Sequence, residues 1–90
     1  KEGVKWGLIN LVVADDQVIE ESEKLARKIA EGPTRAYAGV KEMLRQSFSN
    51  GLETQMELES QIFANQLKGQ DGPEGIKAFM EKRKPEFKGK

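Results

Sequence analysis

The fold is decided by residues 15–33, which read DDQVIEESEKLARKIAEGP. Apolar side chains recur at helical spacing in this stretch, and charged side chains occupy the opposite face. The Asp15–Asp16 pair provides an N-cap for a helix. Arg27 and Lys28 suit the negative end of that helix, and Gly32–Pro33 ends it. The stretch therefore predicts an amphipathic helix with one face made for burial.

Three further helices are predicted downstream, joined by short turns. The first covers about residues 33–49, because proline is tolerated at a first helical position, and Asn50–Gly51 suits a left-handed C-cap. The second covers about residues 52–68, and the third covers residues 73 to 82 or 83. Each helix has only a narrow apolar stripe, so we expect an element that needs partners to bury its core.

The last predicted helix has two clear boundary signals. Residues 71–74 read DGPE, a capping box with proline in the first turn. Pro85 stops the helix because proline cannot continue the backbone hydrogen bonding, and residues 86–90 are predicted to be a tail.

The segment before the helices reads differently. Leu8–Val13 is a run of branched aliphatic residues that predicts a short, buried extended segment. The fold class is thus mainly α, with residues 1–14 as a strand-like link and residues 15–90 as a region of four helices. A single strand cannot stabilise itself, so it requires a sheet from another chain or from residues before Lys1.

Composition excludes several kinds of chemistry. The ninety residues contain fifteen basic and fifteen acidic side chains, with no histidine and no cysteine. Disulfides, thiolate nucleophiles, the commonest metal ligands and a Ser-His-Asp triad are therefore excluded, and we expect no metal site. Zero net charge and the lack of a long apolar run argue against nucleic-acid and membrane partners. The zero hides an asymmetry, because residues 46–74 hold one lysine and five carboxylates, whereas residues 75–90 hold six basic and two acidic residues.

The lack of cysteine fits a reducing compartment, and we expect a cytoplasmic protein. The chain begins at Lys1 without an initiator Met, so a targeting segment upstream stays an open alternative.

The candidate catalytic groups are few. Glu20–Glu21 and Glu57–Glu59 are the dense carboxylate groups, and ordinary charged helix surface is the favoured interpretation of both. Glu59 aligns with apolar neighbours, so we expect it to be half-buried in a salt bridge. Glycines at 69, 72 and 75 do not form a phosphate-binding loop, because no strand precedes them.

The basic triplet Lys82–Lys84 lies near the end of the last predicted helix. It is interpreted either as a complement to the helix dipole or as a contact for an anionic ligand. Phe79 lies three residues before Lys82 on one helical face. An aromatic ring beside an ammonium group can stack on a nucleotide base while the cation meets phosphate, although core packing is the default for Phe79.

Three stretches carry a family resemblance. Residues 6–13, WGLINLVV, with the helix that follows, are similar to the segment after the catalytic region in the enoyl-CoA hydratase/isomerase (crotonase) superfamily. Residues 29–33, IAEGP, with the KEML helix that follows, resemble the next element of that superfamily. Residues 74–89, EGIKAFMEKRKPEFKG, resemble its C-terminal signature of Glu-Gly, Ala-Phe, Glu-Lys-Arg and Pro-x-Phe. The resemblance covers essentially the whole chain but only the last third of a full-length member.

The resemblance implies a function for each part. It implies the C-terminal helical region that builds trimers, often paired into hexamers, in an enzyme acting on acyl-CoA thioesters. The catalytic carboxylates and oxyanion-hole amides then lie upstream, so no catalytic residue is assigned here and the ninety residues alone are expected to be inactive. Phe79 and Lys82 match the residues that reach the adenine region of coenzyme A, which is the expected ligand as part of the substrate, with no covalently bound cofactor. The resemblance does not separate hydratase from isomerase. The alternative is a free-standing helical module that binds another protein.

Overall fold

The computed structural model describes residues 1–90 as a chain of helices without a β-strand. The regular elements are a short helix α1 (Glu2–Lys5), a 3-10 turn (Asp15–Gln17), α2 (Val18–Ala30), α3 (Thr34–Ser47), α4 (Leu52–Leu67) and α5 (Asp71–Met80). Helices α2 to α5 confirm the four predicted helices. None of the helices is both long and apolar enough to cross a membrane.

The predicted strand is not formed. Residues 8–14 have no regular secondary structure, and Leu8 is 82% exposed, so the segment is neither paired nor buried. The reason is physical: an extended segment needs a neighbouring strand to satisfy its backbone groups, and the ninety residues contain none. Instead, the preceding residues close a single helical turn, α1, which the sequence pattern had not predicted.

Helices α3, α4 and α5 pack in series. Gly39 of α3 is buried against α4, where a Cβ atom on it would lie 2.8 Å from Cγ2 of Ile62. Side-chain amides of α4 reinforce this contact, because Gln66 Nε2 donates to the Arg35 carbonyl at 3.1 Å and Gln55 Nε2 to the Met43 carbonyl at 3.0 Å. The close approach of α3 and α4 at Gly39 thus lets the side chains of Gln66 and Gln55 form hydrogen bonds between the two helices.

The molecule is open and has almost no core of its own. Its radius of gyration is 16.8 Å, whereas a compact domain of this length has a radius of about 12 Å. Only three residues are buried, and Ala78 is the sole fully buried apolar one. The apolar stripes of α2 to α5 are therefore exposed, as expected for helices that need a partner surface.

Three predicted caps are wrong. The Asp15–Asp16 pair lies in the 3-10 turn, and the N-cap position of α2 is occupied by Gln17, which has no side-chain capping hydrogen bond. Gly51 has φ −70° and ψ 167°, an extended conformation at the N-cap of α4, so Asn50–Gly51 opens α4 rather than closing α3 with a left-handed residue. Helix α5 begins one residue earlier than the capping box requires. Asp71 is then its first helical residue, and the N-cap position is occupied by Gln70, which has no side-chain capping hydrogen bond.

The predicted tail lies along α5. Residues 83–90, here called the C-terminal strap, return from the end of α5 to its beginning. The Lys90 carbonyl accepts the backbone N–H groups of Gln70 at 2.8 Å and Asp71 at 2.9 Å. The ring of Phe87 covers Gly75, where a Cβ would lie 3.4 Å from Cε1. The strap and α5 therefore form one hydrogen-bonded unit.

Candidate functional site

Phe79 and Lys82 lie three residues apart at the end of α5. The Phe79 ring is 85% exposed, so core packing, the default interpretation from the sequence, is not observed in this chain. Lys82 follows in the turn after the helix, and its backbone N–H donates to the Phe79 carbonyl at 3.2 Å. The structure thus places an accessible aromatic ring and an exposed ammonium group on one turn.

The turn that carries Lys82 has an unusual backbone. Lys82 has φ +53°, and it is the only residue other than glycine with a left-handed backbone. The Arg83 N–H donates to the Ala78 carbonyl at 3.0 Å, which together with the Lys82–Phe79 bond makes a Schellman motif. Glycine usually occupies the left-handed position of that motif, because a Cβ there costs about 1–2 kcal/mol. A lysine in this place is therefore a strained residue, of the kind that clusters at functional sites.

Among the three basic residues of the triplet, only Lys82 has no ion pair. Arg83 pairs with Glu74 and Glu81, with distances of 2.7 Å from Nη1 and 2.6 Å from Nε. Lys84 Nζ lies 3.7 Å from Oε2 of Glu31 at the end of α2. The triplet is therefore divided: two members stabilise the chain, and Lys82 is available to an anion.

Glu74 joins the first turn of α5 to the strap. Its carboxylate accepts two bonds from the Arg83 guanidinium, 2.7 Å to Oε1 and 3.0 Å to Oε2, and a third from the Glu86 N–H at 2.9 Å. These bonds, first that from Arg83 and then that from the Glu86 amide, lower the pKa of Glu74 from 4.5 to about 2. The pKa of Arg83 is raised by the bonds to Glu74 and Glu81. Glu74 and Arg83 are thus both charged at neutral pH.

The other candidate groups do not assemble into a site. Glu59 is exposed and has no ion pair, which corrects the expectation of a half-buried salt bridge, because α4 turns this face toward an open groove. Gly69 and Gly72 lie in and after the α4–α5 turn, and no acidic cluster is arranged to hold a metal ion. The groove itself, about 470 Å³ between α3 and α4, is lined mainly by apolar side chains such as Val40, Met56 and Phe63.

Sequence reasoning missed the parts played by Asp71 and Glu74. The sequence motif predicts both as local caps, whereas the Asp71 carboxylate accepts the backbone N–H groups of Lys88 and Gly89. The available signal was the three-residue spacing of Asp71 and Glu74, which places both carboxylates on one helical face. The basic residues of the chain end follow them in the sequence.

Comparison with known proteins gives this arrangement a family context. A sequence profile described as enoyl-CoA hydratase/isomerase matches residues 1–90. The chain is 38% identical over 90 residues to a protein named "Probable enoyl-CoA hydratase" from Bacillus subtilis (strain 168), with 99% of this chain and 35% of the relative covered. It is 35% identical over 86 residues to 1,2-epoxyphenylacetyl-CoA isomerase from Escherichia coli (strain K12), with 96% of this chain and 33% of the relative covered.

Solved structures agree with the sequence comparison. Subunit I of an enoyl-CoA hydratase from Geobacillus kaustophilus HTA426 superposes with a TM-score of 0.90 at 36% identity, over 99% of this chain and 35% of that one. An enoyl-CoA hydratase from Bacillus anthracis superposes with a TM-score of 0.81 at 31% identity, over 99% of this chain and 34% of that one. The chain spans about a third of the length of these relatives. On sequence and on structure, the chain belongs to the enoyl-CoA hydratase/isomerase family.

Proposed function

We propose that this chain is the C-terminal helical region of an enzyme that acts on acyl-CoA thioesters, and that it supplies subunit assembly and part of the coenzyme A site. The single observation that carries the coenzyme A contact is the turn in which the exposed Phe79 ring lies beside the unpaired, left-handed Lys82. Coenzyme A ends in an adenine base and phosphate groups, which are the chemical complements of a ring and an ammonium group.

The chemistry of the relatives supports a contact with coenzyme A rather than with the acyl group. Their names include 1,2-epoxyphenylacetyl-CoA isomerase and 2,3-dehydroadipyl-CoA hydratase, whose acyl groups differ while the coenzyme A portion is common. A contact with the coenzyme A portion is compatible with all of these substrates, whereas a contact with one acyl group is not. Phe79 and Lys82 are suited to that portion because stacking and charge pairing do not depend on the acyl chain.

The proposed role in assembly rests on the exposed apolar stripes. Several large apolar side chains are more than half exposed on separate helices, including Leu25 on α2, Leu44 on α3 and Phe63 on α4. Burial of apolar surface is the main driving force of association, and the open shape of the chain leaves these side chains without partners of their own. We infer that they pack against the rest of the enzyme and against other subunits in a trimer or hexamer.

The catalytic step is assigned to residues outside this chain. A thioester enolate requires preorganised hydrogen-bond donors at the oxygen that gains charge, together with a positioned acid or base. The exposed carboxylates of α2 and α4 have no such donors beside them, so we expect the ninety residues alone to show no hydration of crotonyl-CoA.

The test uses the whole enzyme that carries this chain, with crotonyl-CoA as substrate. Phe79→Ala combined with Lys82→Ala is expected to raise KM about tenfold or more, the loss of about one charge-assisted contact, while kcat changes less. Phe48→Ala with Lys41→Ala removes an exposed ring at the C-cap of α3 and an ammonium group from α3 itself, and serves as the matched control. An unchanged KM in the first variant would reject the coenzyme A contact and would favour the alternative of a helical protein-binding module.

A further inference from the structure

The Glu74–Arg83 pair borders the turn that carries Lys82. Arg83 directly follows Lys82, and its guanidinium bonds back to both oxygens of Glu74 in the first turn of α5. The same guanidinium bonds to Glu81, which directly precedes Lys82, with 2.6 Å between Nε and Oε2. Both sequence neighbours of Lys82 are thus tied to one cluster of charges, whereas the Lys82 side chain is left exposed.

A left-handed lysine needs such external support. Its backbone conformation is unfavourable for any residue with a Cβ, and a residue of this kind persists only where its surroundings hold it. The Schellman hydrogen bonds hold the turn on the helix side. On the strap side, Glu74 holds both Arg83 and the Glu86 N–H, so the chain is fixed directly after Lys82.

We infer that Glu74, acting through Arg83, is a positioning residue that keeps Lys82 in its left-handed turn beside Phe79 for contact with the phosphates of coenzyme A. The inference rests on the proposed function, because it gives the Lys82 ammonium a ligand. Glu74 itself touches no substrate in this scheme. Its effect reaches the ligand only through Lys82, and this dependence separates positioning from a general contribution to folding.

The experiment is a double-mutant cycle in the whole enzyme, with free coenzyme A as the probe in isothermal titration calorimetry. Lys82→Ala removes the ammonium group and keeps a Cβ in the turn. Glu74→Gln removes the negative charge that pairs with the Arg83 guanidinium. Each single variant is expected to weaken binding about tenfold, which corresponds to one charge-assisted hydrogen bond. The double variant is expected to bind as Lys82→Ala does, because Glu74 has nothing left to position.

Two results would overturn the inference. One is unchanged affinity in Glu74→Gln while Lys82→Ala binds weakly, which would leave the proposed coenzyme A contact intact. The other is a further tenfold loss when Glu74→Gln is added to Lys82→Ala, which would show that Glu74 acts independently of the ammonium. Unchanged affinity in Lys82→Ala itself would instead reject the proposed contact and the positioning role together.

Two additional variants keep the test decisive. If Glu74→Gln does not fold, Arg83→Lys replaces it, because lysine keeps the charge but cannot bridge both oxygens of a carboxylate. Arg83→Lys is expected to give the same loss and the same dependence on Lys82, and full affinity in this variant would contradict the inference. Glu42→Gln breaks a comparable pair with Arg45 on α3 and should leave the affinity unchanged. Steady-state kinetics should show a raised KM at an unchanged kcat for Glu74→Gln, a split that a loss of folded enzyme would not produce.

Discussion

The backbone N–H of Lys88 donates a hydrogen bond of 2.7 Å to Oδ1 of Asp71, a residue that precedes it by 17 positions. The second carboxylate oxygen of Asp71 accepts the N–H of Gly89 at 2.8 Å, and Asp71 is only 6% exposed. A carboxylate that accepts two amides from a returning segment fixes both the position and the direction of that segment. The Asp71 side chain therefore anchors the far end of the C-terminal strap, together with the backbone bonds that the Lys90 carbonyl accepts.

Removal of the Asp71 carboxylate is expected to loosen the far end of the strap, which the Lys90 carbonyl alone would then hold. Asp71→Ala leaves two backbone donors without their acceptor, a cost of about 1–3 kcal/mol to the local structure. Amide hydrogen exchange of a peptide covering residues 83–90, followed by mass spectrometry, should become faster in the variant. Asp16→Ala is the matched control, since Asp16 lies in an exposed 3-10 turn and accepts no side-chain hydrogen bond from a distant segment. Unaltered exchange in Asp71→Ala would contradict the anchoring role.

Replacement of Lys82 by glycine is expected to separate stability from binding. Lys82→Gly relieves the Cβ penalty at φ +53°, so the free energy of unfolding should rise by about 1 kcal/mol. The affinity for coenzyme A should fall at the same time, because the ammonium is lost. Lys84→Gly provides the comparison, since Lys84 has an ordinary backbone and should not be stabilised by glycine. Urea unfolding measures the first effect and calorimetric titration the second, and a less stable Lys82→Gly protein would rule out strain at this position.

The Glu74–Arg83 pair makes the stability of the α5–strap unit depend on pH in the acidic range. The pKa of Glu74 is lowered from 4.5 to about 2 in the folded chain, so its contribution is fully present above pH 4.5. The contribution is lost as the pH falls from 4.5 through about 2, because the unfolded chain takes up a proton before the folded one does. Arg83 is charged throughout this range, and the nearby Lys77 also favours the ionised form of Glu74.

The measurement compares the wild-type protein with Glu74→Gln across this range. The difference in free energy of unfolding should be constant above pH 4.5 and should shrink between pH 4.5 and about 2. The comparison cancels the titration of the other carboxylates, which both proteins share. A difference that does not change with pH would mean that the pKa of Glu74 is not lower in the folded chain than in the unfolded chain.

The ninety residues on their own are expected to self-associate. Their exposed apolar stripes and the groove between α3 and α4 provide more apolar surface than an isolated monomer usually leaves in water. Sedimentation equilibrium should give a mass above the 10.1 kDa of one chain, rising with concentration. Phe63→Glu places a charge in the groove and should shift the equilibrium toward the monomer, while Lys41→Glu on an exposed position of α3 should not. A monomer at every concentration would count against assembly through these faces.

Local signals in the sequence predict the helices but not the contacts that hold the C-terminal strap against α5. Helices α2 to α5 follow from apolar spacing and from the Gly, Pro and Asn residues between them, because both signals act over a few residues. The pairing of Asp71 with Lys88 and of Glu74 with Glu86 joins residues far apart in the chain, and no local pattern specifies it.

Each difference between prediction and structure has its own physical cause. Two carboxylates spaced by three residues can form a capping box, but here Asp71 and Glu74 accept amides of the strap instead, and the sequence motif alone does not distinguish the two uses. Likewise, the run Leu8–Val13 favours a strand only where another strand is present to pair with it. The left-handed Lys82 has no signal at all in the sequence, because glycine is the residue normally expected there.

The closed set of bonds between α5 and the strap has an evolutionary consequence. Its hydrogen bonds and the Glu74–Arg83 pair all join residues between Gln70 and Lys90, so the turn with Phe79 and Lys82 is held by its own stretch of about twenty residues. Such a stretch can be inherited as a block while the remainder of an enzyme diverges in what it accepts. The proposed coenzyme A contact of Phe79 and Lys82 would then be preserved. Selection could change the acyl preference through residues elsewhere in the enzyme without altering this contact.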